Sequence, residues 1–351
     1  MSRKRPIDQT IVKISTPADI LGVLPHRLGF HPRESLVVVC LEGPRKRDRL
    51  VMRVDLPGTA SDHALAQDMA ARVRHTGASH AVIVCYTDAP SPGRDLPRAG
   101  LMDALAECLA GHDIGVVETL LVRGGRWWSY QCTDVVCCPA AGTPLLGELT
   151  PPAQHYAAES ALRGASPLVD RTALEGSIEP ARHRVAVATR ARAAGVAAEA
   201  VLTAVARDGM EAPGRLALAT LRRLVLEWSG GGRDEVSPDE AALVALGLRD
   251  KLARDEAMTM VLDSDAGVLV ALLTDLVSRV DGPDAAPVCT LLAWTAYAQG
   301  GGALATVAAE RALRCSPGYE MARLLVESMS RMVDPDVIRE VAEQVRTDLA
   351  G

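Results

Sequence analysis

The sequence predicts an α/β domain followed by an all-α domain of helical hairpins. Up to residue 122, apolar runs of strand length alternate with amphipathic segments, a pattern typical of βαβ units and a mostly parallel sheet. Gly124 and Gly125 then mark a hairpin into RWWSYQC, which predicts an antiparallel hairpin at one edge of the sheet. After residue 181 strand patterns disappear, and breakers such as Pro213 and Pro283 separate helical patterns.

The elements of the first half follow from local patterns. Pro17 suits the first turn of a helix that ends at Gly29. SLVVVCL is a continuous apolar run with three β-branched residues, as expected for a strand buried on both faces. Leu65, Met69 and Val73 recur every four residues and predict an amphipathic helix. The predicted order is strand 10–14, helix 17–28, strands 35–41 and 50–56, helix 61–75, strand 81–86, a helix ending near 111 and strand 116–122.

The domain organisation follows from the same pass along the chain. We predict a sheet domain over residues 1–165, a linker over 166–180 and a helical domain over 181–351. In the helical domain, residues 181–194 and 197–208 are predicted as two separate helices. A later set of residues lies at offsets that resemble a tetratricopeptide repeat, although Trp294 and Tyr297 fall outside its usual aromatic positions. The matching residues are Leu292, Ala293, Gly300, Ala305, Ala312 and Pro317.

Charge and composition narrow the function classes. The net charge is 38 − 44 = −6, which argues against a dedicated nucleic-acid-binding protein. The first residues lack the apolar core of a secretory signal. The uncharged run 285–309 is Ala-rich and broken by glycines, so we interpret it as a buried helical hairpin and expect no membrane span. A cytoplasmic protein with reduced thiols is therefore expected.

Residues 124–144, here named the Trp/Cys segment, concentrate unusual side chains. Cys132, Cys137 and Cys138 lack the paired spacing of a zinc knuckle and have no obvious fourth ligand nearby. The favoured interpretation is buried thiols under a tryptophan, with no cofactor predicted. A structural zinc site at these three cysteines and a redox pair remain as alternatives.

The two tryptophans of this segment are adjacent. On a strand, Trp127 and Trp128 face opposite sides of the sheet, so one is expected in the core and the other against a second partner. Arg126 and Tyr130 share the Trp128 side by the period-two rule. These four residues are the candidate ligand or interface residues, and a cross-strand pairing ladder is the alternative.

Strand ends supply the candidate catalytic residues. Asp55 ends one predicted strand, Asp88 follows another and His31 precedes a third. In open α/β sheets ligands gather at the carboxyl ends of strands, and two carboxylates with an imidazole could bind a divalent ion or transfer protons. Asp is also common in turns for local hydrogen bonding, so a structural role is the alternative. Common nucleotide-binding, zinc-protease and hydrolase motifs are missing from the sequence.

Several segments together resemble a known family. They are LGFHPRESLVVV, VDLPG, GRWWSYQC, CCPAAGTP and a later RDEA. The chain resembles, over most of its length, an actinobacterial family of domains of unknown function, number 4192. That resemblance implies no established activity, cofactor or catalytic residue.

The function prediction therefore depends on architecture. Because helical hairpins bind other proteins more often than they catalyse, we expect a non-catalytic, cytoplasmic protein-interaction or regulatory protein with a protein partner. The alternative is a small-molecule-binding or metal-binding enzyme or sensor that uses the strand-end carboxylates. Neither nucleic acid nor membrane is an expected partner.

Overall fold

The computed structural model describes residues 16–43, 46–90, 95–145, 149–162, 166–180 and 187–350. The chain divides into two compact units, Met1–Asp170 and Arg171–Gly351. The predicted strand over residues 10–14 lies outside the described residues. The described residues contain no helix that combines the length and the apolar character needed to cross a bilayer.

Unit 1 contains a six-stranded sheet and four α-helices among its described residues. The strands are β1 Ser35–Glu42, β2 Arg47–Asp55, β3 His80–Tyr86, β4 Gly115–Arg123, β5 Arg126–Ser129 and β6 Thr143–Pro144. The helices are α1 Pro17–Leu28, α2 Asp62–His75, α3 Ala99–Ala110 and α4 Pro151–Leu162. The strand order is β2-β1-β3-β4-β5-β6.

The sheet is mixed, so the prediction of a mostly parallel sheet is wrong. Among the described strand pairs only β3 and β4 are parallel, and every other neighbour is antiparallel. β2, β3 and β4 do run in one direction, as the intervening helices require. However, β1 forms a hairpin with β2 and lies between β2 and β3, which makes both of its pairings antiparallel. The predicted antiparallel hairpin is confirmed as β4 and β5, but β6 pairs outside β5 and forms that edge of the sheet.

The start of α1 confirms the sequence prediction and shows how the helix is fixed. The Thr16 side chain accepts a hydrogen bond from the Asp19 backbone, and the Asp19 carboxylate accepts one from the Thr16 backbone, which forms a capping box. Asp19 is fully buried and its second oxygen accepts a hydrogen bond from the Thr150 backbone at 2.8 Å. One carboxylate therefore ties α1 to the segment that leads into α4.

The described residues of unit 2 form helices and the turns that connect them, without a strand. Its helices are α5 Arg171–Ser177, α6 Val187–Asp208, α7 Ala212–Ser229, α8 Pro238–Gly247, α9 Lys251–Met258, α10 Ala266–Val277, α11 Ala285–Ala298, α12 Gly302–Cys315, α13 Glu320–Ser330 and α14 Pro335–Ala350. The predicted linker, 166–180, contains α5. The prediction of two helices over 181–208 is wrong, because α6 runs through Gly195 without a break; a single glycine costs a helix only about 1 kcal/mol.

The run 285–309 forms a hairpin, as predicted from its composition. Every residue of α11 is buried, and α11 packs closely against α12, where Ala305, Ala308 and Ala312 are fully buried. Small side chains allow the two helix backbones to approach each other. This hairpin is the centre of the core of unit 2.

An acidic side chain in α8 gives unit 2 a testable pH dependence. Partial burial opposes the charged form of Glu240, but Arg233, Arg223 and Ser237 outweigh it and lower the pKa to about 2. A carboxyl group whose pKa is depressed in the folded state stabilises it fully above the ordinary value of 4.5, and that contribution is lost as the pH falls towards 2.

We therefore expect the urea concentration at the unfolding midpoint of unit 2 to decrease as the pH is lowered from about 4.5 to 2. Glu240→Gln should make this decrease smaller. The midpoint followed by circular dichroism at several pH values checks it. The control is Glu343→Gln, which changes an exposed glutamate of α14. Equal pH profiles for the wild type and Glu240→Gln would contradict the assignment.

Candidate functional site

The carboxyl ends of β2, β3 and β4 lie beside the start of β1, at one end of the strands. Glu34, directly before β1, accepts hydrogen bonds from the Thr87 hydroxyl and the Asp88 backbone, both at 2.8 Å. Its φ of 39° is in the left-handed region, which is strained for a side chain of this kind. Glu34 therefore holds the start of β1 against the end of β3, a role that the sequence did not reveal.

The three predicted strand-end residues do not form one cluster. Asp55 and Tyr86 are both paired with Ser35 of β1, so β1 separates the ends of β2 and β3, about 10 Å apart at two strand spacings. Asp88 follows two residues after Tyr86. Within the described residues no hydrogen bond or ion pair joins Asp55, Asp88 and His31.

Each of these three residues has a local partner instead. Asp55 forms an ion pair with Arg53 at 2.5 Å, and the Asp88 carboxylate accepts a hydrogen bond from the Gly124 backbone at 3.3 Å. His31 is exposed, and its backbone donates to the Leu168 carbonyl at 2.9 Å. These contacts fit the structural alternative, and a catalytic role for the three stays a prediction.

A buried arginine side chain lies at the same end of the strands, next to the helices. The guanidinium of Arg98 forms an ion pair with Asp62 at 2.6 Å and also donates to the Pro57 carbonyl. Arg98 has a φ of 62° immediately before α3. Burial raises the pKa of Asp62, and the neighbouring Arg98 opposes that rise. The sequence did not reveal this pair, because neither residue belongs to a recognisable motif.

Tyr130 extends from the Trp/Cys segment into this region. Its hydroxyl donates to the Pro97 carbonyl at 2.6 Å, next to Arg98. Burial raises its pKa above the usual range of tyrosine, and the neighbouring Cys85 adds to the rise. Burial likewise raises the pKa of Cys85 to about 11. Both groups are therefore neutral at physiological pH.

The two tryptophans face opposite sides of the sheet, as predicted. Trp127 is 8% exposed and belongs to the core. Trp128 is half-buried, and its indole NH donates to the Ala140 carbonyl at 3.2 Å. The Arg123 guanidinium lies over its ring, 5.2 Å from the centroid. The second partner of Trp128 is therefore the later part of its own segment.

Arg126 and Gly142 complete this packing. Arg126 donates from Nε to the Ala141 carbonyl at 2.6 Å and from a terminal nitrogen to the Gly142 carbonyl at 2.7 Å. A Cβ at Gly142 would lie 2.4 Å from the Trp128 ring. The strand β5 and residues 140–142 therefore enclose Trp128 between them.

The loop between β5 and residues 140–142 brings the three cysteines together. The sulfur atoms of Cys132, Cys137 and Cys138 all lie within 4.8 Å of one another. Cys137 is exposed and the other two are half-buried, so the interpretation of all three as buried core thiols is wrong. Burial, followed by hydrogen bonding to the other two thiols, raises the pKa of Cys138 to about 12.

Hydrogen bonds within the loop explain the convergence. The Ser129 hydroxyl donates to the Glu118 carboxylate at 2.7 Å and accepts from the Cys132 backbone at 3.2 Å. Asp134 accepts from the Val136 backbone through its carboxylate and from the Cys138 backbone through its carbonyl, at 2.8 and 2.7 Å. The resulting turn carries Cys137 and Cys138 back towards Cys132, which their sequence spacing did not predict.

Two buried polar atoms lie on the Trp127 side of the sheet without a hydrogen-bond partner. They are the Tyr86 hydroxyl and the Trp127 indole nitrogen, and both residues pair with Val122 of β4. Burial raises the pKa of Tyr86, so the hydroxyl is neutral. A buried polar group without a partner costs about 1 to 3 kcal/mol.

We therefore expect Tyr86→Phe to leave the stability unchanged or to raise it by up to about 1 kcal/mol, because the lost hydroxyl has no partner to leave behind. Urea unfolding of the full chain checks this. Thr87→Val is the control, since the Thr87 hydroxyl is bonded to Glu34 and its loss should destabilise. A destabilising Tyr86→Phe would show that the hydroxyl has a partner in solution.

Comparison with protein families gives a match over most of the chain. The family model described as a domain of unknown function (DUF4192) matches residues 17–336. This confirms the resemblance drawn from the sequence segments. Neither the curated proteins nor the solved structures contain a match to the chain.

Proposed function

The chain belongs to this family of unknown function, and we propose that it is a non-catalytic cytoplasmic protein that binds another protein through its helical unit. The observation that carries the proposal is an open groove of about 440 Å³ formed by α6 and α7. Val196, which lines this groove on α6, is 43% exposed. Exposed apolar side chains are typical of protein-binding surfaces when they line a groove. The groove is lined by Val196, Glu199, Ala200, Thr203, Ala204, Arg207 and Leu216.

The lining favours an amphipathic helix of the partner. Val196, Ala200 and Ala204 recur every four residues on one side of α6, and Leu216 of α7 faces the same groove. Their small or apolar side chains leave room for the apolar face of a docked helix. The net charge of −6 supports leaving nucleic acid out of the proposal, and no membrane partner is proposed.

The spacing of the helices supports a repeat-like, tetratricopeptide-like array. The helices α9, α11 and α13 begin at residues 251, 285 and 320, at intervals of 34 and 35 residues. Tetratricopeptide repeats have a period of about 34 residues. The last helix, α14, packs back against α9 and the turn that follows it. We therefore propose a closed array in place of an open solenoid.

Site-specific crosslinking in the native host tests the protein-binding proposal. A photo-reactive residue in place of Ala200, in the groove, should give one dominant adduct. The same residue in place of Leu252, which is 61% exposed on α9 but outside the groove, is the matched control. Ala200→Glu should weaken binding of the captured partner at least tenfold, and Leu252→Glu should not. Equal adducts at both positions, or none at Ala200, would refute the proposal.

A second proposal concerns a cofactor. The convergence of the Cys132, Cys137 and Cys138 sulfur atoms supports a single structural Zn²⁺ in the Trp/Cys segment. Three soft sulfur ligands suit zinc. This observation favours a zinc site at the three cysteines over a metal site at the strand ends, where the carboxylates are engaged in local contacts.

A further inference from the structure

The distances among the three thiols are close to those of a zinc site. Zn–S bonds of about 2.3 Å at tetrahedral angles place two sulfur atoms about 3.8 Å apart. The sulfur atoms of Cys132, Cys137 and Cys138 lie within 4.8 Å of one another. Movements of about 1 Å or less per side chain would therefore bring all three to bonding distance.

The set is one ligand short of a closed structural site. Structural zinc sites have four protein ligands, whereas sites with three leave a position for water or an external molecule. Within the described residues no histidine, aspartate or glutamate atom joins the three sulfur atoms. Asp134 is the acidic residue inside the loop, and one oxygen of its carboxylate accepts a hydrogen bond from the Val136 backbone.

The surroundings leave the missing position accessible. Cys137 is exposed, and the two residues before it, Val135 and Val136, are 73% and 89% exposed. The opposite side of the loop is anchored through Ser129 to Glu118 of β4. A metal held by the three sulfur atoms would thus have protein on one side and solvent on the other.

We propose that Cys132, Cys137 and Cys138 bind one Zn²⁺ as three thiolates and that its fourth ligand is an exchangeable water molecule, replaceable by a small external donor such as an imidazole or a thiol. The inference rests on the proposed zinc site and adds the open position to it. Binding releases the thiol protons to solvent, and the site carries a net charge of −1. Metal binding without an exchangeable position would leave the structural-zinc proposal standing and overturn this one.

Cobalt titration of the full-length protein tests both parts. Co²⁺ added to the reduced, metal-free protein should give thiolate-to-metal charge-transfer absorption and tetrahedral ligand-field bands that saturate at one Co²⁺ per chain. Imidazole should then shift the ligand-field bands in a saturable way. Bands that do not respond to imidazole or to a small thiol would show that the chain supplies the fourth ligand. Absence of the charge-transfer band would overturn both the open position and the zinc site.

A variant pair assigns the ligands. Cys137→Ser should lower the affinity for Co²⁺ and Zn²⁺ at least tenfold, because it removes the exposed ligand. Cys108→Ser, which changes a half-buried cysteine of α3 outside the cluster, should leave both affinities unchanged. Equal affinities for the two variants would contradict the assignment. If either variant failed to fold, the cobalt titration of the wild-type protein would still test the proposal.

Discussion

Arg311→Met should destabilise unit 2 by about 3 to 5 kcal/mol, the effect of removing one partner from a buried charged network. The Arg311 side chain is almost fully buried in α12. It donates to the carbonyls of Ile178, Val277 and Val280 and forms an ion pair with Glu179 at 3.4 Å. Methionine fills much of the volume but leaves three carbonyls without this donor.

The measurement is urea unfolding of the full chain followed by far-ultraviolet circular dichroism. Arg314→Met is a matched control, because Arg314 forms an ion pair with the same Glu179 at 2.6 Å from a 55% exposed position. An exposed pair of this kind is worth less than about 1 kcal/mol. Similar losses for the two variants would mean that the carbonyl contacts contribute little.

Gly142→Ala should open the Trp/Cys segment, at a cost of about 2 to 4 kcal/mol from overpacking and left-handed backbone strain. The added Cβ would lie 2.4 Å from the Trp128 ring, and Gly142 has a φ of 74°. Either the ring or residues 140–142 must move. We expect a red shift of tryptophan emission and at least a tenfold loss of zinc affinity.

Gly124→Ala separates the two causes. Gly124 also has a left-handed backbone, with a φ of 54°, but a Cβ there would meet nothing within 4 Å. It should show the strain without the displacement of Trp128. If both variants kept the wild-type emission and zinc affinity, the packing of Trp128 would not be what holds the segment together.

Local patterns predicted most elements of the fold, but not the strand order. The capping residues of α1 and the buried run of β1 are readable because propensity and tertiary environment agree there. The position of β1 between β2 and β3 depends on which strands pair, and periodicity carries no such information. The rule that a helix connects adjacent parallel strands held for β3 and β4, whereas β2 and β3 share a direction but are separated by β1.

The candidate site was predictable in part. Trp127 and Trp128 were assigned to opposite faces from the period of a strand alone. The convergence of Cys132, Cys137 and Cys138 was missed because the zinc-knuckle rule looks for paired ligands close in sequence. Here a turn built by Asp134 brings them together. Glu34 and Arg98 were missed because each acts through a left-handed backbone conformation, which sequence patterns do not reveal for residues other than glycine.

X-ray absorption at the zinc edge tests whether the Trp/Cys segment is a metal site with one open position. The sample is the reduced full-length protein with one equivalent of Zn²⁺. A site of three cysteines with one open position should give three sulfur neighbours at about 2.3 Å and one lighter neighbour at about 2.0 Å. A coordination shell without sulfur atoms, or with fewer than three of them, would contradict the three-cysteine site.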